Sequence, residues 1–411
     1  MNTTTMTAQP AAAAAAGTVA PTKVRWKIFL MMLFLISINY IDRASLSVAM
    51  PLIAKEFDIG PALQGVLLSS FFWTYAAMQI PGGMLADRFG PRVVTCAGML
   101  LIAAGLLLCS LAGSLPMVYA AYGVGVGLGI ALVYTPAIAC VQPWFTQRRG
   151  LAAGLASAGI GAGTVALPLL ASAAIAVLQW RGAMRALALV VLGLGLAATW
   201  ALRRAPAASA ARGGQIPGLS LGQALRDRRY GWLYLSIVLA APSMFIPFAH
   251  VSAAARDLGI DAARAVGLVG LIGIGSLVGR FAIGALADRL GRTRTLLLMQ
   301  LSAGLSFLAW YGAASYVGLS AFTLWFGLSY GGIVSLLPPV AMDLFGARAV
   351  AGVIGTLYTG AALGNLFGPV LAGWVFDRSG SYVPVMWACM ALSALAALAS
   401  ARLLAARSSR Y

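Results

Sequence analysis

The chain has 411 residues, of which 61% are hydrophobic and 9% charged, and its mean hydropathy is +0.90. That is too little polar surface to cover a soluble globule of this size, so an integral membrane protein is predicted. A net charge of +18 would point to nucleic acid in a soluble protein; in a membrane protein it is the placement of the charge that informs.

Residues 1–22 are rich in Ala and Thr. They lack a basic start followed by an apolar core and a cleavage site, so a disordered cytoplasmic tail is expected rather than a signal peptide. Apolar stretches long enough to span ~30 Å of hydrocarbon then recur at 28–51, 63–85, 93–113, 116–140, 150–177, 184–202, 231–254, 265–286, 295–317, 319–341, 350–374 and 382–405. These predict an all-α membrane protein of twelve transmembrane helices. The turn between the stretches ending at 317 and starting at 319 is the least marked. Residues 203–230 are rich in small residues, proline and charge, which suits a cytoplasmic linker between a six-helix bundle at 23–202 and a second at 231–411.

Most of the 28 lysines and arginines fall on the side of the N-terminus. Lys55, Arg181, Arg185, Arg256, Arg264 and Arg378 fall on the other side, and Arg43 and Arg280 within spans. Positive charge stays on the cytoplasmic side during insertion, so both termini are expected in the cytoplasm of a cell whose inner (plasma) membrane holds the protein. The four cysteines, Cys96, Cys109, Cys140 and Cys389, have neither metal nor disulfide spacing and read as packing residues.

Ionisable residues inside the spans carry the functional signal. Of the ten carboxylates, all but Asp42 can be placed near loops or helix ends. Asp42 and Arg43 lie together in the first span, and such residues mark an ion or substrate path. As neighbours on a helix they project about 100° apart and need not pair with each other; the alternative is that one bonds a neighbouring helix. Arg280 precedes Asp288 by about two turns, ~12 Å of helix, which sets it well inside the eighth span. Its planar fork matches a carboxylate bidentately. Ser276, one turn before it, is not acidic, which is expected to leave the guanidinium available to a ligand.

Three further residues are candidates for the substrate site. His250, the single histidine, titrates in solution near about 6.5 and sits near the outer end of its span, where interface residues are also common. Tyr134, before Thr135-Pro136, and Tyr330, in Gly327-Leu-Ser-Tyr-Gly-Gly332, lie where glycine or proline lets helices bend around a cavity. A buried tyrosine needs a partner for its hydroxyl in any case. Gly159-Ile-Gly-Ala-Gly163 is not a nucleotide loop, because no strand precedes it.

A motif repeats at matching places. Gly83-Met-Leu-Ala-Asp-Arg-Phe-Gly-Pro-Arg92 follows the second span, and Gly284-Ala-Leu-Ala-Asp-Arg-Leu-Gly-Arg-Thr-Arg294 follows the eighth. On this evidence residues 25–405 resemble the major facilitator superfamily. The resemblance implies two six-helix halves and a cytoplasmic latch in which Asp87, Arg88, Asp288 and Arg289 hold helix ends together.

Finer likenesses point to organic anions. Asn39-Tyr-Ile-Asp-Arg-Ala-Ser-Leu46 looks like the first helix of the anion:cation symporters, whose Asp and Arg serve in proton coupling and anion binding. The buried Glu of that family, expected near Ile130, is absent. Gly125-Val-Gly-Leu-Gly-Ile-Ala-Leu-Val-Tyr-Thr-Pro136 and Trp144-Phe-Thr-Gln-Arg-Arg-Gly150 are instead similar to the monocarboxylate transporter and oxalate/formate antiporter group, as are Pro247-Phe-Ala-His250, Gly279-Arg-Phe-Ala-Ile-Gly284 and Gly368-Pro-Val-Leu-Ala-Gly373. Residues 358–364 carry no lysine of the oxalate type.

The resulting expectation is a proton-coupled symporter of a small organic anion, a monocarboxylate foremost, working by alternating access. Arg280, Arg43, Tyr330, Tyr134 and His250 would form the substrate site and Asp42 the proton site. A dicarboxylate, sugar acid or sulfonated acid, carried by symport or exchange, is the alternative within anion transport. A multidrug efflux carrier or a transporter-like sensor is the alternative outside it. The expected partners are the anion, protons and the bilayer, with no nucleic acid, no cofactor, no metal and a monomeric chain. No nucleophile-base constellation suggests an enzyme.

Overall fold

The computed structural model describes residues 22–38, 41–145, 149–200, 202 and 218–408; within these ranges the side chains of residues 41–45 and 155–169, among others, lie outside the description. Among the described residues the chain is almost wholly helical. The first span is α1 (Thr22–Ile38) and α2 (Ile41–Phe57), followed by α3 (Pro61–Phe89) and α4 (Pro91–Ser110). The fourth span runs as α5 (Leu115–Tyr119), a π-helical stretch at Ala120–Val126 and α6 (Gly127–Val141). The widened turn includes Gly123 and Gly125 and overlaps the start of the glycine-rich run.

The fifth and sixth spans are joined in α7 (Arg149–Val190), which reverses at Gln179, φ 61°, and continues into α8 (Leu196–Trp200). The short α9 (Leu221–Arg226) starts at a capping box, in which Ser220 and Gln223 each bond the other's backbone N–H. The second half is α10 (Arg228–Asp257), α11 (Ala262–Leu290), α12 (Arg292–Tyr311), α13 (Tyr316–Phe345), α14 (Val350–Ser379) and α15 (Val383–Ser408). By length and composition, eight of the described helical stretches suffice to cross a membrane.

Two boundaries differ from the sequence expectation. The turn between the ninth and tenth spans comes earlier, at 312–315, because Gly312 ends α12 and the Ser315 hydroxyl accepts from the Gly318 N–H to start α13. Within 203–230, residues 221–226 are helical and Gly218 pairs with Gly346, with the Leu219 N–H donating to the Phe345 carbonyl at 2.9 Å. That end of the linker is therefore fastened to the junction of α13 and α14.

In both copies of the repeated motif the helix ends at a glycine with positive φ, 91° at Gly90 and 93° at Gly291. A side chain would be strained there, which gives the motif its glycine. The same turn thus sends α3 into α4 and α11 into α12. Within the second half α11 packs on α13 and α10 on α14; between the halves α3 packs on α14 and α7 on α11. Helices in lipid approach through small residues. Gly327 and Gly331 do this here: side chains on them would overlap the Ile272 and Ser276 carbonyls. The glycines around Tyr330 therefore seat α13 on α11.

Candidate functional site

At the motif-bearing end each half caps a helix of the other. The Asp87 carboxylate, at the end of α3, accepts from the Ala351 N–H at 3.2 Å and the Gly352 N–H at 2.7 Å, at the start of α14. Asp288, at the end of α11, accepts from the Gly150 N–H at 3.0 Å, at the start of α7. Helix N-termini present unsatisfied N–H groups and a partial positive charge, so a carboxylate is the residue type that fits. The backbones touch beside these caps. Side chains on Gly83, Gly355, Gly150 or Gly154 would overlap the carbonyls of Ala351, Gln79, Gly284 and Arg280 in turn.

Asp288 is paired with Arg292, at 2.9 Å, and Arg292 also holds Asp343 at 2.6 Å, tying α11, α12 and α13 together. Arg289 is exposed, and Arg88 is exposed with its guanidinium 5.2 Å from the centre of the Phe89 ring. Arg292 was not among the latch residues expected from the motif, whose Asp-Arg pair is Asp288 and Arg289. Arg292 lies four residues after Asp288 but across the turn at Gly291, so it is the turn that brings the two together.

Beyond this contact lies a cavity of about 350 Å³. Its described lining comes from both halves: Phe72, Tyr75 and Gln79 of α3 and Tyr134 of α6 on one side, and on the other residues of α10, α12, α13 and α14, among them Phe245, Phe248, Gln300, Tyr330, Tyr358 and Asn365. The aromatic rings interlock. Tyr134 stands between Tyr75, 6.4 Å away, and Tyr358 of the opposite half, 5.6 Å away, while Tyr330 meets Phe248 edge-on at 5.1 Å. The structure thus brings Tyr134 and Tyr330 to one cavity.

Arg280 is 4% exposed and, although described, is not part of that lining. Its Nε donates to Ser276 Oγ at 3.2 Å. The serine thus occupies one donor of the fork that the sequence left to a ligand. Ser276 in turn backs onto Gly331, next to Tyr330 in the cavity wall. His250 also stands outside the lining. Its Nε2 lies 2.9 Å from the Pro369 carbonyl and its Nδ1 3.1 Å from the Tyr382 hydroxyl. A carbonyl can only accept, so Nε2 donates to it, and the ring ties α10 to α14 and to Tyr382, just before α15. Asp42 and Arg43 lie on α2, and their side chains fall outside the described residues.

Two cavity residues were not among those the sequence singled out. Gln79 and Gln300, 0% and 1% exposed, are amides within apolar helices, and a census of polar groups inside the spans would have found them.

A family model for the Major Facilitator Superfamily matches residues 32–357 and again 243–410. The chain belongs to this superfamily. Monocarboxylate transporter 13 of Bos taurus is 34% identical over 305 residues, 73% of this chain and 71% of that protein. The Agnestins efflux protein AgnL12 of Paecilomyces divaricatus is 29% identical over 293 residues, 71% and 67% of the two chains. The crystal structure of the superfamily transporter FucP in the outward conformation superimposes with a TM-score of 0.71 at 15% identity, covering 92% of this chain and 99% of that one. The fold is accordingly the twelve-helix, two-half architecture of a membrane transporter, and not that of an enzyme.

Proposed function

We propose that the protein is a secondary active transporter of a small organic anion, a monocarboxylate foremost, working by proton symport and alternating access in the inner membrane, with both termini cytoplasmic. The observation that carries the reading is the cavity. It is lined by both halves, and the halves meet at the motif-bearing end through caps that each lends the other. A midplane site between two bundles that rock about it is how such carriers work. Relatives named monocarboxylate transporters support the choice of anion.

In this reading Arg280 holds the substrate carboxylate. A guanidinium 4% exposed within a span is expensive to keep there, which supports a functional role. Asp42 carries the coupled proton. Moving one uncompensated charge across 100 mV costs about 2.3 kcal/mol, so taking up a proton with the anion lets the loaded carrier turn over nearly neutral. Tyr134 and Tyr330 flank the substrate. A dicarboxylate or a sulfonated acid is the second reading, favoured by the presence of two arginines within spans, Arg43 and Arg280.

The test is uptake of labelled mono- and dicarboxylates into proteoliposomes, with and without an inward proton gradient. Gradient-stimulated accumulation of a monocarboxylate is expected. Uptake indifferent to the gradient would remove proton coupling, and failure to carry any carboxylate would remove the anion.

A further inference from the structure

We propose that Gln79 and Gln300 are specificity-determining residues, donating from their side-chain amides to oxygen acceptors on the body of the substrate, and that this body is aromatic or comparably bulky rather than a two- or three-carbon chain. The inference deepens the reading of the protein as an organic-anion carrier and rests on it.

The two amides share an unusual state. Gln79 Oε1 accepts from the Thr135 hydroxyl, and Gln300 Oε1 accepts from Ser400 Oγ at 2.7 Å. Each amide is thereby held by a hydroxyl on a neighbouring helix. Gln79 Nε2 and Gln300 Nε2 are buried, and among the described residues neither has a hydrogen-bond partner. Turning either amide over would leave its oxygen rather than its nitrogen unpaired, and a phenol, which both donates and accepts, meets either case. Most buried polar side chains are hydrogen-bonded, and although the Gln142 amide, away from the cavity, is also unpaired, two vacancies in one lining favour an occupant that pairs them.

The rest of the wall describes that occupant. Four tyrosines, Tyr75, Tyr134, Tyr330 and Tyr358, with Phe72, Phe245 and Phe248 border the same space. Its ~350 Å³ is at the lower end of cavities that enclose whole small-molecule ligands and far larger than acetate needs. Rings stack on rings or meet them edge-on. The described lining is neutral, so a carboxylate must find its cation elsewhere. The amides are then left to the uncharged oxygens of the molecule: a phenol, a ketone or an ether.

The experiment measures binding of acetate, benzoate, 4-hydroxybenzoate and the neutral 4-hydroxybenzamide to the purified full-length protein, as wild type, Gln79→Leu, Gln300→Leu and Arg280→Lys. In the wild type, benzoate should bind better than acetate, and 4-hydroxybenzoate about tenfold better than benzoate, the worth of one hydrogen bond to a buried donor. The hydroxybenzoate-to-benzoate ratio should fall toward one in at least one glutamine variant. Acetate binding as well as benzoate, an unchanged ratio in both variants, or lower melting with the ratio intact would overturn the inference. If carboxylates bind in an Arg280-dependent way while the ratio ignores both glutamines, this inference fails and the anion reading stands. If 4-hydroxybenzamide matches 4-hydroxybenzoate and both need the glutamines, the anion reading fails and the amide site stands.

Discussion

Gly154 of α7 lies so close to Arg280 of α11 that any side chain on it would overlap the arginine's backbone carbonyl. The backbone of the proposed anion-binding arginine is therefore set at the contact between the two halves.

Gly154→Val is expected to disfavour the state in which the halves touch at the motif-bearing end. Overpacking a tight contact costs about 1–3 kcal/mol, roughly tenfold or more in the ratio of two states. Labelling of cysteines placed at this end should rise and transport should fall, while Gly273→Val, where nothing lies within 4 Å, should behave as wild type. Equal transport by both variants would show that the contact is not part of the cycle.

The two caps should be separable from the substrate site. Asp87→Ala removes two acceptors from the start of α14 and should destabilise the closed end by about 1–2 kcal/mol, with substrate affinity less affected than turnover. Asp288→Ala should cost more, since it also breaks the pair with Arg292 that reaches Asp343. A larger effect of Arg289→Ala than of Arg292→Ala on melting would contradict the pairing seen here.

Arg280→Ala, and also Arg280→Lys with its loss of the planar fork, should weaken anion binding at least tenfold while the protein still inserts and purifies. Wild-type affinity in either variant would dismiss Arg280 as the anion contact.

Asp42→Asn mimics the protonated acid. It should abolish gradient-driven accumulation yet keep exchange of substrate between the two sides of the membrane. Accumulation with unchanged pH dependence would move the proton site elsewhere. Arg43→Gln, assayed beside it with lactate against malate, should erase any preference for the dianion if Arg43 shares the cavity, and should reduce all transport alike if it bonds a neighbouring helix.

Glu56, at the end of α2, is bonded by Arg181 and by Trp180 Nε1 at 2.8 Å, beside the reversal at Gln179. The Arg181 bond holds its carboxyl below the usual carboxylate range, against the opposing effect of burial. The depressed pKa means that this pairing stabilises the fold above the unfolded-state pKa and is lost as pH falls through the folded one. The melting temperature of wild type should exceed that of Glu56→Gln at pH 7, and the gap should narrow as the pH is lowered below the ordinary carboxylate range. A gap that stays constant would assign the effect to packing alone.

The twelve spans, the two halves and the repeated motif could be read from the chain, because hydropathy over 20 residues and a glycine locked at positive φ are local properties. The latch role of Asp87 and Asp288 was implied by the resemblance of the repeated motif to the major facilitator superfamily. Their acceptance of backbone N–H groups of the opposite half could not be read from the chain, since it joins residues some 264 and 138 positions apart. His250 stood out because it is the single histidine in the chain, and only packing reveals that Pro369 and Tyr382 engage both of its nitrogens. Gln79 and Gln300 are the opposite case. As uncharged amides they carry little weight in a sequence, where a polar side chain in a span has many ways to satisfy itself along its own helix or a neighbour's. Their meaning comes from tertiary structure, which gives each oxygen a hydroxyl partner and leaves each nitrogen without one in the wall of a shared cavity. Local periodicity and charge determined where the chain crosses the membrane; which polar atoms remain unsatisfied there was decided by helices brought together from distant parts of the chain.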